Sequence, residues 1–119
     1  EGCSTNYFIN TLNLNNINYN YHISEIDDIY FNKLENIQNT KLIRSSWEKI
    51  NEKYDIIIST TFSSINRNNY LKFKSLCNKH TFIITILSVF KLYKINEFNF
   101  NIIYKKKISM FFYIFILKI

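Results

Sequence analysis

Cys77 and His80 are the first residues to test for chemistry, because a C-x-x-H spacing is half of a zinc site. No second pair stands near them, and Cys3 and His22 are far apart and unpatterned, so no metal set is expected. With only Cys3 and Cys77 there is no disulfide framework either. No Ser/His/Asp or Cys/His set is suggested by spacing. Asp55 opens an apolar run and so stands at the wrong end of a strand for most sites of open α/β sheets. Gly2 is the one glycine, so a glycine-rich phosphate cradle cannot form in the usual way. Catalytic residues and a cofactor are therefore not expected from the residues alone.

The elements that would carry any site centre on residues 54–104. Tyr54-Asp55-Ile56-Ile57-Ile58-Ser59 and Thr81 to Leu87 are short apolar runs, as is Phe100 to Tyr104, and their length suits buried strands. Asn69 to Cys77 between the first two has an ambiguous period, and its place favours a crossover helix. Strand, helix, strand with apolar strands predicts a parallel pair. Upstream, Phe8, Leu12 and Ile17 permit an amphipathic helix, although Asn is a poor helix interior residue. His22 to Phe31, with Glu25, Asp27 and Asp28, reads as a turn or hairpin tip. Asn32 to Lys53 gives the best helical stripe, through Leu34, Ile37, Leu42, Ile43, Trp47 and Ile50. Ile108 to Leu117 is about half the roughly 20 residues of a spanning helix. It reads as a buried terminal helix or strand, and no membrane span is expected. No signal peptide is read in residues 1–15.

The fold class expected is α/β: a partial Rossmann-like parallel sheet with a preceding helical hairpin and a closing carboxyl-terminal helix. Residues 1–53 form the hairpin segment and 54–119 the strand-helix-strand core, in one structural unit.

Composition adds a bias and a charge gradient. Ala and Pro are absent, while Ile, Asn, Lys, Phe and Tyr dominate, which fits an AT-rich genome such as that of an organelle, endosymbiont or parasite. Such a gene over-supplies Lys and Asn, which weakens any reading of either. The net charge is +6; residues 1–60 carry −3 and residues 61–119 carry +9. A basic half suits a polyanion.

In order and spacing the chain resembles the carboxyl-terminal part of the bacterial-type small-ribosomal-subunit protein number two family. Gly2-Cys3-Ser4-Thr5-Asn6-Tyr7-Phe8 is similar to its Gly-Gly-x-Leu-Thr-Asn-Phe segment. Phe31 to Leu34 with Leu42, Arg44 and Glu48 resembles the second arm of its helical hairpin, and Tyr54 to Ile58 its Pro-Asp strand. Asn69 to Leu87 resembles the helix and strand that follow, and Asn101 to Tyr104 its last strand. Ser59 to Ser63 and Lys105 to Lys107 depart from its acidic and turn residues. The resemblance implies a non-catalytic constituent of an organellar small ribosomal subunit, in the mitochondrial matrix or, alternatively, a plastid-type organelle. Its partners would be small-subunit ribosomal RNA and neighbouring small-subunit proteins. A separate chain is one source of the missing amino-terminal half, and a lone parallel sheet would need RNA or a neighbouring chain to fold. The candidate RNA contacts are Arg67, Lys72, Lys74, Lys79, Lys91, Lys94, Lys105, Lys106 and Lys107, the last three where a loop enters the closing helix. The alternative is an accessory subunit of an organellar inner-membrane complex, with residues 108–117 against lipid or a partner helix.

Overall fold

The computed structural model describes residues 10–16, 18–24, 40–43, 46–59 and 62–119. The chain divides into two compact units, residues 1–50 and 51–119.

In the first unit, residues 10–14 are helical, and the Asn15 side chain donates to the Thr11 carbonyl at 2.8 Å. Asn16 then takes a left-handed φ of 53°, which Asn tolerates better than other residues with a Cβ. Strand β1 (Tyr21–Ser24) pairs in parallel with β2 (Thr40–Ile43), from Tyr21 opposite Thr40 to Ser24 opposite Ile43. Ser46 caps a 3-10 turn at Trp47–Lys49 by accepting from the Glu48 amide. The long helix expected over Asn32 to Lys53 is therefore corrected: residues 40–43 are a strand and residues 50–53 are not helical. Its first part, residues 32–39, lies outside the described residues, as do Gly2 to Phe8 and Glu25 to Phe31.

The second unit holds β3 (Tyr54–Ser59), α1 (Tyr70–Ser75), β4 (Cys77–Ser88), α2 (Tyr93–Glu97), β5 (Asn101–Lys107) and β6 (Phe112–Lys118). They form a four-stranded sheet in the order β3-β4-β6-β5. β3 and β4 are parallel, joined through α1 as the two apolar runs demand; β6 is antiparallel to both β4 and β5. The α/β, Rossmann-like expectation holds. The closing segment is strand β6 and not a helix, because a central position between β4 and β5 uses both of its backbone edges. Lys105, Lys106 and Lys107 accordingly lie in edge strand β5, not at a helix entrance.

One face of the sheet is packed. Thr81, Ile83, Thr85 and Leu87 alternate inward along β4, beside Phe115 and Leu117 of β6. Phe62 anchors the layer above them: its ring meets Phe73 of α1 edge-on at 5.8 Å and Phe100 at 5.1 Å. On the other face Ile56, Phe82 and Ile86 remain 40–56% exposed.

Asn does the work that Gly does elsewhere. The Asn66 amide donates to Asn69 Oδ1 and the Asn68 amide to Asn66 Oδ1, both at 2.8 Å, shaping the turn before α1. Asn99, at φ 59°, ends α2 and lets the Phe100 amide reach the Ile95 carbonyl at 2.9 Å.

Candidate functional site

In open α/β sheets the ligand edge lies beyond the carboxyl ends of the parallel strands. Here that edge is formed where β3 ends at Ser59 and β4 at Ser88. Thr85 Oγ1 donates to the Ser59 carbonyl at 2.9 Å, locking the last residue of β3 to β4. The chain then turns inward, since Phe62 and Ile65 are fully buried. No carboxylate stands among the described residues of this edge; Glu52 and Asp55 flank the start of β3, and Glu97 ends α2.

Arg67, in the turn before α1, and Lys74, within α1, come to one hollow. With Tyr70, Glu97, Phe98 and Asn99 they line an open hollow of about 400 Å³. Tyr70 stacks on Phe98 at 5.0 Å, and the Lys74 ammonium lies 5.7 Å above the Tyr70 ring and 5.4 Å above Phe100. The other candidate cations are dispersed. Lys72 donates to Asn51 Oδ1 at 2.8 Å, while Lys79 and Lys91 are exposed at the start of β4 and just after it. Lys105, Lys106 and Lys107 are exposed on the edge strand, with the Lys105 ammonium 5.2 Å above the Tyr113 ring.

Lys94 is the exception. It is 8% exposed, and its ammonium donates to the Ile65 carbonyl. Burial, with the Lys91 charge adding, pushes it below the usual lysine range. Lys53 also serves the fold, donating to the Ser75 and Cys77 carbonyls at 3.1 Å and so capping the end of α1. Cys77 is buried with its thiol 3.7 Å from the Phe73 carbonyl, and burial pushes its pKa up to about 11, so a reactive thiolate is not available there. His80 is exposed, and no group of three metal-ligating side chains occurs among the described residues.

What the sequence reading missed is β1. Tyr21-His22-Ile23-Ser24 is a strand that runs directly into Glu25, Asp27 and Asp28, where the sequence suggests a turn or hairpin tip over His22 to Phe31. The overlooked signal was the short run with alternating apolar and polar residues placed before an acidic cluster.

No sequence-family model matches the chain, and no curated protein matches it. Its fold is nevertheless shared with solved structures. A ribosomal protein L11 methylase from Lactobacillus delbrueckii is 17% identical, with a TM-score of 0.68 over 86% of this chain and 59% of that one. A protein from Sulfolobus solfataricus assigned to the type 11 methyltransferases is 13% identical, with a TM-score of 0.68 over 98% of this chain and 79% of that one. A TehB-like SAM-dependent methyltransferase from Corynebacterium glutamicum is 6% identical, with a TM-score of 0.62 over 83% of this chain and 67% of that one. The chain thus spans about three fifths of the first of these.

These neighbours overturn the ribosomal resemblance. It rested on the order and spacing of apolar strands, which Rossmann-like sheets of unrelated function share. With it fall the structural ribosomal role and the non-enzymatic reading. The attributes built on it, from ribonucleoprotein and ribosomal RNA binding to translation and a mitochondrial small subunit, lose their basis. What these structures show is the fold alone, a Rossmann-like α/β sheet closed by an antiparallel pair, which this chain shares with solved methyltransferases.

Proposed function

We propose that the chain is an S-adenosylmethionine-dependent methyltransferase domain, or the greater part of one. The observation that carries the reading is the strand order β3-β4-β6-β5, with β3 and β4 parallel and β6 reversed, in a fold shared with methyltransferases. When bound, the cofactor supplies an electrophilic sulfonium methyl that passes to a nucleophile of the acceptor.

The described residues do not by themselves build a nucleoside cradle. The carboxyl edge of β3 and β4 offers Ser59 and Ser88, without a carboxylate among the described residues, and no step is assigned to them. The residue types that suit such a ligand stand elsewhere in the sequence. Glu25, Asp27 and Asp28 follow Ser24, the last residue of parallel strand β1. In Rossmann-type sites a carboxylate just past the carboxyl end of a parallel strand is the usual acceptor for ribose hydroxyls, and Glu25 is the first residue after β1. Glu25 is therefore the residue we assign to the ribose.

Equilibrium dialysis of the full chain against labelled S-adenosylhomocysteine tests this. Saturable binding is expected, weakened about tenfold or more in Glu25→Gln, since a charged hydrogen bond contributes about 1.5–3 kcal/mol. Asp55→Asn, at the opposite end of its strand, should bind as the parent does. A folded chain with no saturable binding would overturn the reading. Binding indifferent to Glu25→Gln would remove only the assignment of Glu25.

A further inference from the structure

The corner where β5 turns into β6 is apolar and faces solvent. Phe90, Ile108, Met110, Phe111 and Phe112 are 46–73% exposed, and they come from two separate segments. The corner is nonetheless held in shape. The Ile108 amide donates to the Phe112 carbonyl at 3.1 Å, closing the turn, and the Val89 amide donates to the Phe111 carbonyl at 2.8 Å, tying the stretch after β4 to it. Phe90 and Phe111 stack with ring centres 6.4 Å apart. A contiguous exposed apolar patch of this kind marks an interaction surface.

Its surroundings are of one sign. Lys91, Lys105, Lys106 and Lys107 are exposed just behind the apolar crown. Within residues 51–119 the only carboxylates are Glu52, Asp55 and Glu97. The first two flank the start of β3, and Glu97 lies shortly before Asn101, where β5 pairs with the far end of β6. The negative side chains are thus at the opposite edge of the sheet. From these two observations we infer that the crown docks on an anionic lipid surface, its apolar side chains entering the headgroup boundary and its lysines meeting the lipid phosphates and carboxylates. Nucleic acid fits less well. Phe90 and Phe111 spend a face on each other, while Ile108 and Met110 have no ring on which a base could stack.

Co-sedimentation of the full chain with phosphatidylcholine vesicles containing about one third phosphatidylserine tests this directly. The chain should partition onto these vesicles at least about tenfold better than onto phosphatidylcholine alone, and less at high salt. Two double variants, Met110→Ser with Phe111→Ser and Lys106→Gln with Lys107→Gln, should each lower partition by roughly tenfold or more. All four positions are exposed, so each variant is expected to fold, and circular dichroism is the control for that. No partition of the folded parent chain, or partition unchanged in the Met110/Phe111 variant, overturns the inference. Tighter binding to a single-stranded homopolymer RNA, lost in the same two variants, would also overturn it, giving the crown to nucleic acid.

Discussion

Cys77 shows how far burial alone can retire a reactive group. Its thiol is held protonated to about pH 11 against an ordinary value of 9.0, so folding keeps a proton that the unfolded chain gives up. That stabilisation is full below pH 9 and is lost as pH rises through 11. Urea unfolding of the parent and of Cys77→Ala at pH 8 and pH 11 checks it: the parent should lose more stability across the interval. Equal losses would mean that the thiol is open to solvent. Asn99 gives a second check. Its φ of 59° suits Gly at no steric cost, so Asn99→Gly should hold or slightly raise stability. Asn99→Val should lower it by about 1–2 kcal/mol, both read from urea midpoints.

At the scale of elements, the core depends on one aromatic anchor. Phe62, fully buried, joins the segment after β3 to α1 and to Phe100, so Phe62→Ala should cost about 3–5 kcal/mol by chemical denaturation. Which elements could be read in advance follows from physics. The parallel pair β3 and β4 was legible because apolar runs on both sides of a crossover leave few alternatives. β6 was not resolved, since an apolar run such as Phe112 to Leu117 suits a buried helix as well as a central strand, and only its place between β4 and β5 decides. β2 was hidden because Leu42 and Ile43 continue a stripe of helical spacing. Its pairing with β1 is a tertiary fact that local periodicity does not carry. The candidate site was the least legible part. Arg67 and Lys74 converge only through the fold, and Lys94 reads as one more surface lysine until its ammonium is found on the Ile65 carbonyl.

At the scale of the whole chain, biased composition shaped both the turns and how legible the fold is in the sequence. With a single Gly and no Pro, Asn at positions 16, 66, 69 and 99 shapes the turns, so the usual glycine fingerprints are missing from a fold that often carries them. Strand spacing of this kind is shared by Rossmann-like sheets of unrelated function, and the strand order is what sets this one beside the methyltransferase structures. The central claim is that this architecture binds the methyl donor's adenosyl scaffold. Thermal unfolding of the full chain across a titration of S-adenosylhomocysteine tests it most directly. A ligand at about 100 times its Kd adds about 2.7 kcal/mol to the folded state. The expected result is a rise in Tm that reaches several degrees near 100 times Kd and goes on growing with the logarithm of ligand concentration. A cooperative melt that does not move at any ligand concentration would contradict the claim.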